Sequence, residues 1–174
     1  MAPAESTGTR RLFFALWPDA PLREELLRRR ALLKPSGWRA VPAHNLHLTL
    51  LFLGNQPSSA LGDIDALGGQ LGLERSRLRL DRFGWFPGAR VLWLGGSAPD
   101  PIQAWVDALS SGMDSLGLSV ERRPFKPHVT LFRRVLEAPD LPEPEPLDWS
   151  VRGLSLIESL PSRPYQVLRT WSVN

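Results

Sequence analysis

The hydrophobic positions of this chain fall into short runs whose period changes along the sequence, and the changes mark its elements. Residues 11–17 (RLFFALW) form an apolar, aromatic run closed by Pro18 and Asp19, the pattern of a buried strand. A helix should follow. Asp19 is placed to cap it, Pro21 falls in its first turn, and Leu22, Leu26, Leu27 and Leu33 form an apolar stripe up to the stop at residues 35–37. Residues 45–54 then alternate, with Leu46, Leu48, Leu50 and Phe52 on one strand face and His47 and Thr49 on the other. Residues 57–72 read as a glycine-interrupted helix. Residues 77–83 and 91–94 read as two strands joined through residues 84–88.

The second half repeats this order. Residues 101–116 predict a helix with Ile102, Val106, Leu109 and Leu116 inward and Gly117 as its terminator. Residues 127–133 (PHVTLFR) predict a strand, residues 138–146 an acidic, proline-rich loop, and residues 149–159 and 165–173 two closing strands. The repeated order predicts an α+β fold, a single bilobal domain over residues 1–174. Its two pseudo-symmetric lobes, each an antiparallel sheet flanked by helices, are expected to face one another across a central cleft.

At 174 residues and 43% hydrophobic, the chain is long enough to bury a core. It has no cysteine, which excludes a disulfide framework, a thiolate metal site and thiol catalysis together. The polar opening residues 1–10 lead into a run too brief for a signal segment or a membrane span. A cytoplasmic protein without a membrane partner is expected, and the lack of a heptad pattern predicts a monomer. The net charge is only +3, but Lys34 and Lys126 are the only lysines, so nearly all positive charge is arginine. Arginine's planar fork suits phosphate. A GC-rich codon bias gives the same excess, so charge alone points only weakly to nucleic acid.

Two of the three histidines sit in the same tetrapeptide, His47-Leu48-Thr49-Leu50 and His128-Val129-Thr130-Leu131. A single copy is common on ordinary strands, where threonine is favoured for its β-propensity. Two copies, each with histidine and threonine on one face, point instead to paired acid/base chemistry. Imidazoles titrate near neutrality, so one can act as base while the other acts as acid. In-line displacement at a phosphodiester needs that pair on opposite sides of phosphorus, and each threonine hydroxyl could donate to a non-bridging oxygen. His44 precedes the first motif, has no counterpart in the second, and reads as a loop or cap residue. No HExxH or carboxylate cluster accompanies the histidines, so no metal is expected. The chain also lacks GxxxxGK(S/T) and KxDG patterns, which disfavours chemistry driven by ATP.

At these residues the chain resembles the two-histidine phosphoesterase superfamily, and within it the bacterial and archaeal RNA 2′,3′-cyclic phosphodiesterases, long called 2′-5′ RNA ligases. The resemblance covers residues 11–16, Asn45 to Leu50 with Phe52 to Gly54, Pro127 to Arg133, and the closing segment Ser159 to Tyr165. It implies hydrolysis of an RNA 2′,3′-cyclic phosphate to a 2′-phosphomonoester, without metal or cofactor, on RNA ends or small cyclic nucleotides. It also implies His47 as proton donor to the leaving 3′ oxygen, His128 as proton acceptor from water, and Thr49 and Thr130 as phosphate-binding residues. Arg133 matches the arginine that contacts phosphate or the 2′ oxygen.

Strict alternation from His128 puts Arg134 on the cleft face instead, so Arg133 reaches it only across a bulge or a strand end. Phe13, with the small Ala15 on its own side, is the candidate for base stacking, with core packing as the competing role. Trp17, Trp38, Trp85, Trp93 and Trp105 are assigned to packing, whereas Trp149 and Tyr165 are candidates to border the cleft. The alternatives are a related diesterase acting on 2′-5′-linked oligonucleotides or an ADP-ribose-type cyclic phosphate, and a non-catalytic module that binds RNA ends. Retention of both histidines argues against the module. ATP-independent 2′-5′ joining would be a side activity, by reversibility.

Overall fold

The computed structural model describes residues 8–173; the polar segment 1–7 and Asn174 lie outside the described residues. The chain runs β1 (Thr9–Leu16), α1 (Ala20–Arg30), β2 (Arg39–Ala40), β3 (Leu48–Pro57), α2 (Leu61–Gln70), β4 (Ser76–Phe86) and β5 (Val91–Gly96). It continues through α3 (Asp100–Ser115), β6 (His128–Arg133), β7 (Leu147–Val151), β8 (Gly153–Glu158) and β9 (Gln166–Ser172). Every strand pairing is antiparallel, in the order β7-β4-β5-β6-β3-β1-β8-β9, with β2 added to β6. The sheet therefore has two halves, β3-β1-β8-β9 and β6-β5-β4-β7. They meet through one pair, Leu48 opposite Val129.

Alternation decides what each half buries. Leu12, Phe14 and Leu16 of β1 join Leu22 and Leu26 of α1 in the main core, where Leu78, Leu80, Leu92 and Leu94 meet Ile102, Trp105, Leu109 and Met113 of α3. Each such leucine contributes about 1.5–3 kcal/mol through lost contact with water. The other face of β1 holds Phe13 and Ala15, which form a small separate cluster with Ile157. Helix α1 starts where its cap predicts, with Asp19 Oδ1 accepting from the Leu22 amide at 2.9 Å. Arg29 then fastens the proline-rich loop to α1, pairing with Glu25 at 2.6 Å and donating to the carbonyls of Glu145 and Pro146.

Several expectations need correction. Leu116 follows α3 and is exposed, and Trp105 and Met113 complete the buried stripe in its place. Residues 149–159 are not one strand: β7 pairs with β4 in one half and β8 with β1 in the other, so the chain crosses between halves at Arg152. Gly153 permits the crossing, because a Cβ there would strike the Trp171 carbonyl. Phe52 does not share the core face of Leu46, Leu48 and Leu50. It is 50% exposed, and Leu53 is buried in its place.

The exchange of Phe52 for Leu53 comes from bulges. In β3 the register against β1 steps from Ala15–Thr49 to Phe14–Leu51, leaving Leu50 as an extra residue. In β6 the register against β5 steps from Trp93–Thr130 to Leu92–Phe132, leaving Leu131 as the extra residue. Both motifs therefore bulge at their leucine, and the residue five positions after each histidine returns to the histidine face. Those residues are Phe52 and Arg133.

Candidate active site

His47 lies between a short 3₁₀ turn, Ala43–Asn45, and β3, while His128 opens β6. Each imidazole is held the same way. The Nδ1–H of His47 donates to the Asn45 carbonyl at 2.7 Å, and that of His128 donates to the Lys126 carbonyl at 2.6 Å. A carbonyl only accepts, so both rings carry their proton on Nδ1 when neutral and leave Nε2 unprotonated. At His47 that nitrogen lies 3.1 Å from Thr49 Oγ1, whose hydroxyl donates to it.

Aromatic rings fix both imidazoles from the sides. Trp17 stacks on His47 with centroids 5.6 Å apart and planes 10° from parallel. Phe13 lies at 5.1 Å and Tyr165 stands perpendicular at 5.2 Å. Around His128 stand Phe86 at 5.1 Å and Trp93 at 5.9 Å. A Cβ at Gly84 or Gly95 would run into the Trp93 ring, so these glycines leave the space in which it lies.

Burial pushes the His47 imidazole down to about 4. The bond to the Asn45 carbonyl opposes that shift, and the charges of Arg133 and His128 add to it. Burial lowers His128 as well, against the bond to the Lys126 carbonyl. Both shifts favour the neutral ring.

A pocket of about 210 Å³ lies at the seam of the halves and is lined by His47, Asn45 and Tyr165 from one side, and Thr130, Arg133 and the β2 segment from the other. Thr49 and His128 are not among its lining residues; each belongs to the histidine face of its strand. The bulge in β6 carries Arg133 into the pocket, while Arg134 follows the strand in a left-handed conformation, φ 60°. Phe13 is 3% exposed, covered by His47, Phe52 and Tyr165, so it has no free face for a base. The open ring is Phe52, at 5.9 Å from Phe13.

Tyr165 does border the cleft, but Trp149 is 5% exposed in the main core. Trp17 and Trp93, expected only to pack, are the walls of the two histidine sites. Period-2 alternation from Phe13 through Ala15 to Trp17 carried the signal for the first, while the second depends on cross-strand register. Arg39 was missed because its strand has two residues and no periodicity. His44 is exposed in the 3₁₀ turn and does not line the pocket. Among the described residues no three histidine, aspartate or glutamate side chains gather as a metal site, and no helix is long and apolar enough to cross a membrane.

An antiparallel sheet of two halves, each presenting one His-x-Thr strand to a shared cleft, defines the class of two-histidine phosphoesterases. Within that class the chain belongs to the 2′-5′ RNA ligase superfamily, whose family model matches residues 18–162. It is 38% identical to the RNA 2′,3′-cyclic phosphodiesterase of Thermus thermophilus, over 94% of this chain and 90% of that protein. It is 35% identical to the Escherichia coli protein of the same name, over 94% of this chain and 96% of the relative. The crystal structure of E. coli LigT complexed with 3′-AMP matches with a TM-score of 0.85 at 33% identity, covering 95% of this chain and 98% of that one.

Proposed function

We propose that the chain hydrolyses 2′,3′-cyclic phosphate ends of RNA to 2′-phosphomonoesters by a metal-independent two-histidine mechanism. The observation that carries this reading is the matched pair of Nδ1–carbonyl bonds, which leaves one unprotonated Nε2 on each half of the cleft, that of His47 accepting from Thr49. His128 takes a proton from water as the water oxygen bonds to phosphorus. The P–O3′ bond breaks, and His47 protonates the departing 3′ oxygen. Thr49, Thr130 and Arg133 bind the non-bridging oxygens and meet the charge that develops on them. The nucleobase lies on Phe52 rather than on the covered Phe13. The whole chain acts as one bilobal, monomeric unit in the cytoplasm, built from two repeats of a strand-helix-strand motif.

In this mechanism His47 takes up its proton from solvent as the anionic substrate binds. Burial and the Arg133 charge disfavour that proton, and an anionic phosphate paired with Arg133 offsets the repulsion and attracts the imidazolium. A second reading exchanges the two roles: besides burial, the Arg133 and His128 charges disfavour a proton on His47, whereas among the described residues no charge opposes one on His128.

The primary test is turnover, in EDTA, of a short RNA bearing a 2′,3′-cyclic phosphate, with the product isomer identified. Formation of the 2′-phosphate, lost in His47→Ala and His128→Ala, is the expected result. Turnover abolished by chelation, or mutants as active as wild type, would overturn the proposal. A nucleoside phosphodiester with a nitrophenolate leaving group separates the two role assignments. That group departs without a proton, so it restores activity to the variant lacking the acid, His47→Ala, and not to the variant lacking the base.

A further inference from the structure

Strand β2 brings a second arginine to the pocket. Arg39 stands opposite Arg133 in the β2–β6 register, and both line the same cavity. Opposed residues in an antiparallel pair project to one face, and like charges so placed repel. Among the described residues neither arginine forms an ion pair with a carboxylate, and no aspartate or glutamate lines the pocket.

The surrounding structure holds this repulsive pair in place. The Val41 amide donates to the Leu131 carbonyl at 2.9 Å, anchoring the segment to β6. Arg30 of α1 donates to the Val41 carbonyl at 2.6 Å, with its guanidinium 5.9 Å from the Phe132 ring centroid. Two guanidinium groups, those of Arg39 and Arg133, thus share the pocket at the end of β6 away from His128, while Arg30 packs on the Phe132 side of the strand. A cyclic phosphodiester carries one negative charge, which Arg133 and the threonines already serve. The excess positive charge calls for another anion farther along the strand.

We propose that Arg39, with Arg133, forms a subsite for a second phosphate, the one on the 5′ oxygen of the terminal nucleoside. This rests on the cyclic-phosphodiesterase reading of the site. An RNA end that carries a 2′,3′-cyclic phosphate has its next phosphate at the 5′ oxygen, joined to the preceding nucleotide or free as a monoester. The subsite selects 5′-phosphorylated and 5′-extended ends over a bare nucleoside cyclic phosphate.

The test compares three substrates: adenosine 2′,3′-cyclic phosphate, its 5′-phosphorylated form, and the dinucleotide ending in the same group. Wild type should favour both phosphate-bearing substrates about tenfold or more in kcat/KM, mainly through KM. Arg39→Gln should collapse that preference, and Arg39→Lys should keep part of it. Equal use of all three substrates by wild type, or an equal fall on all three in Arg39→Gln, overturns the subsite. A preference for the dinucleotide alone also overturns it, because a second nucleoside would then be the group recognised.

Calorimetry separates this idea from the reaction itself. Wild type should bind adenosine 3′,5′-bisphosphate about tenfold tighter than 3′-AMP, and Arg39→Gln should remove the difference. If that holds while no cyclic phosphate is turned over, the subsite stands and the catalytic reading falls. If turnover is robust without the bisphosphate preference, the subsite alone falls.

Discussion

The two halves of the sheet share a backbone plan and differ in what fills it. Across the His47 half the row of cross-strand partners reads Thr49, Ala15, Ser155, Thr170; across the His128 half it reads Thr130, Trp93, Gly84. In the first row small side chains stand on the cleft face, with the Ser155 and Thr170 hydroxyls 2.8 Å apart. In the second an indole takes the place of Ala15, and glycine takes the place of Ser155. After the matched bulges, Phe52 stands where the other half has Arg133. Matching backbones thus supply two equivalent imidazoles, and unlike side chains supply direction, with an apolar ring at one end of the site and charge at the other.

The largest expected effect erases the part that the halves share. His47→Ala and His128→Ala should each lower kcat on a cyclic phosphate by about a hundredfold or more. The double variant should be little worse than the poorer single one, because an acid and a base acting in one step are not additive. A double variant showing the product of the two losses would mean that the halves act independently.

The next effect belongs to the His47 site and its charges. The folded value near 4 lies below the usual 6.5, so between those values the unfolded chain binds more protons and stability falls as pH falls. The full loss is about 3 kcal/mol, read from denaturant midpoints between pH 7 and pH 4. His47→Gln should remove most of this loss and leave the part due to His128, which burial also lowers. Glu158, held below its ordinary range by Arg10, loses its contribution only as pH falls through carboxylate values. In the Arg133→Met protein the His47 resonance should titrate at higher pH by NMR, and an unchanged value would remove Arg133 from that site.

Smaller effects probe the unlike rows. Gly84→Ala should cost about 1–3 kcal/mol, because its methyl meets the Trp93 ring. Ser155→Ala, at the corresponding place, should cost about 1 kcal/mol for one hydroxyl bond. Equal losses in thermal or chemical denaturation would show that the rows are not built differently. Phe52→Ala should raise KM for RNA ends several-fold, a loss of roughly 1 kcal/mol of stacking, with little change in kcat. A fall in kcat alone would place Phe52 at the reacting atoms instead.

The paired tetrapeptides, the capped helix after Asp19 and the core faces of the strands were legible because each is written in local spacing. The bulge in β3 was not, since an extra residue appears only against the partner strand, and with it went the placement of Phe52; for Arg133 alternation already required a bulge or a strand end, and the pairing with β5 shows it is a bulge. Phe13 illustrates the same limit. Its face was correctly separated from that of Phe14, but the rings that cover it include Tyr165, from the far end of the chain. The division of residues 149–159 between β7 and β8 left no mark in hydrophobicity, because both pieces keep buried residues and only Gly153 signals the crossing.

The single pair Leu48–Val129 sits one residue beyond each histidine. In a pair of pliers, the points closest to the rivet travel least when the handles move. Breathing of the halves about this seam would open and close the rim at Phe52 and Arg133 while the spacing of the imidazoles stays nearly constant. A long strand would then cross the rim while the proton-transfer distance, set beside the seam, stays fixed.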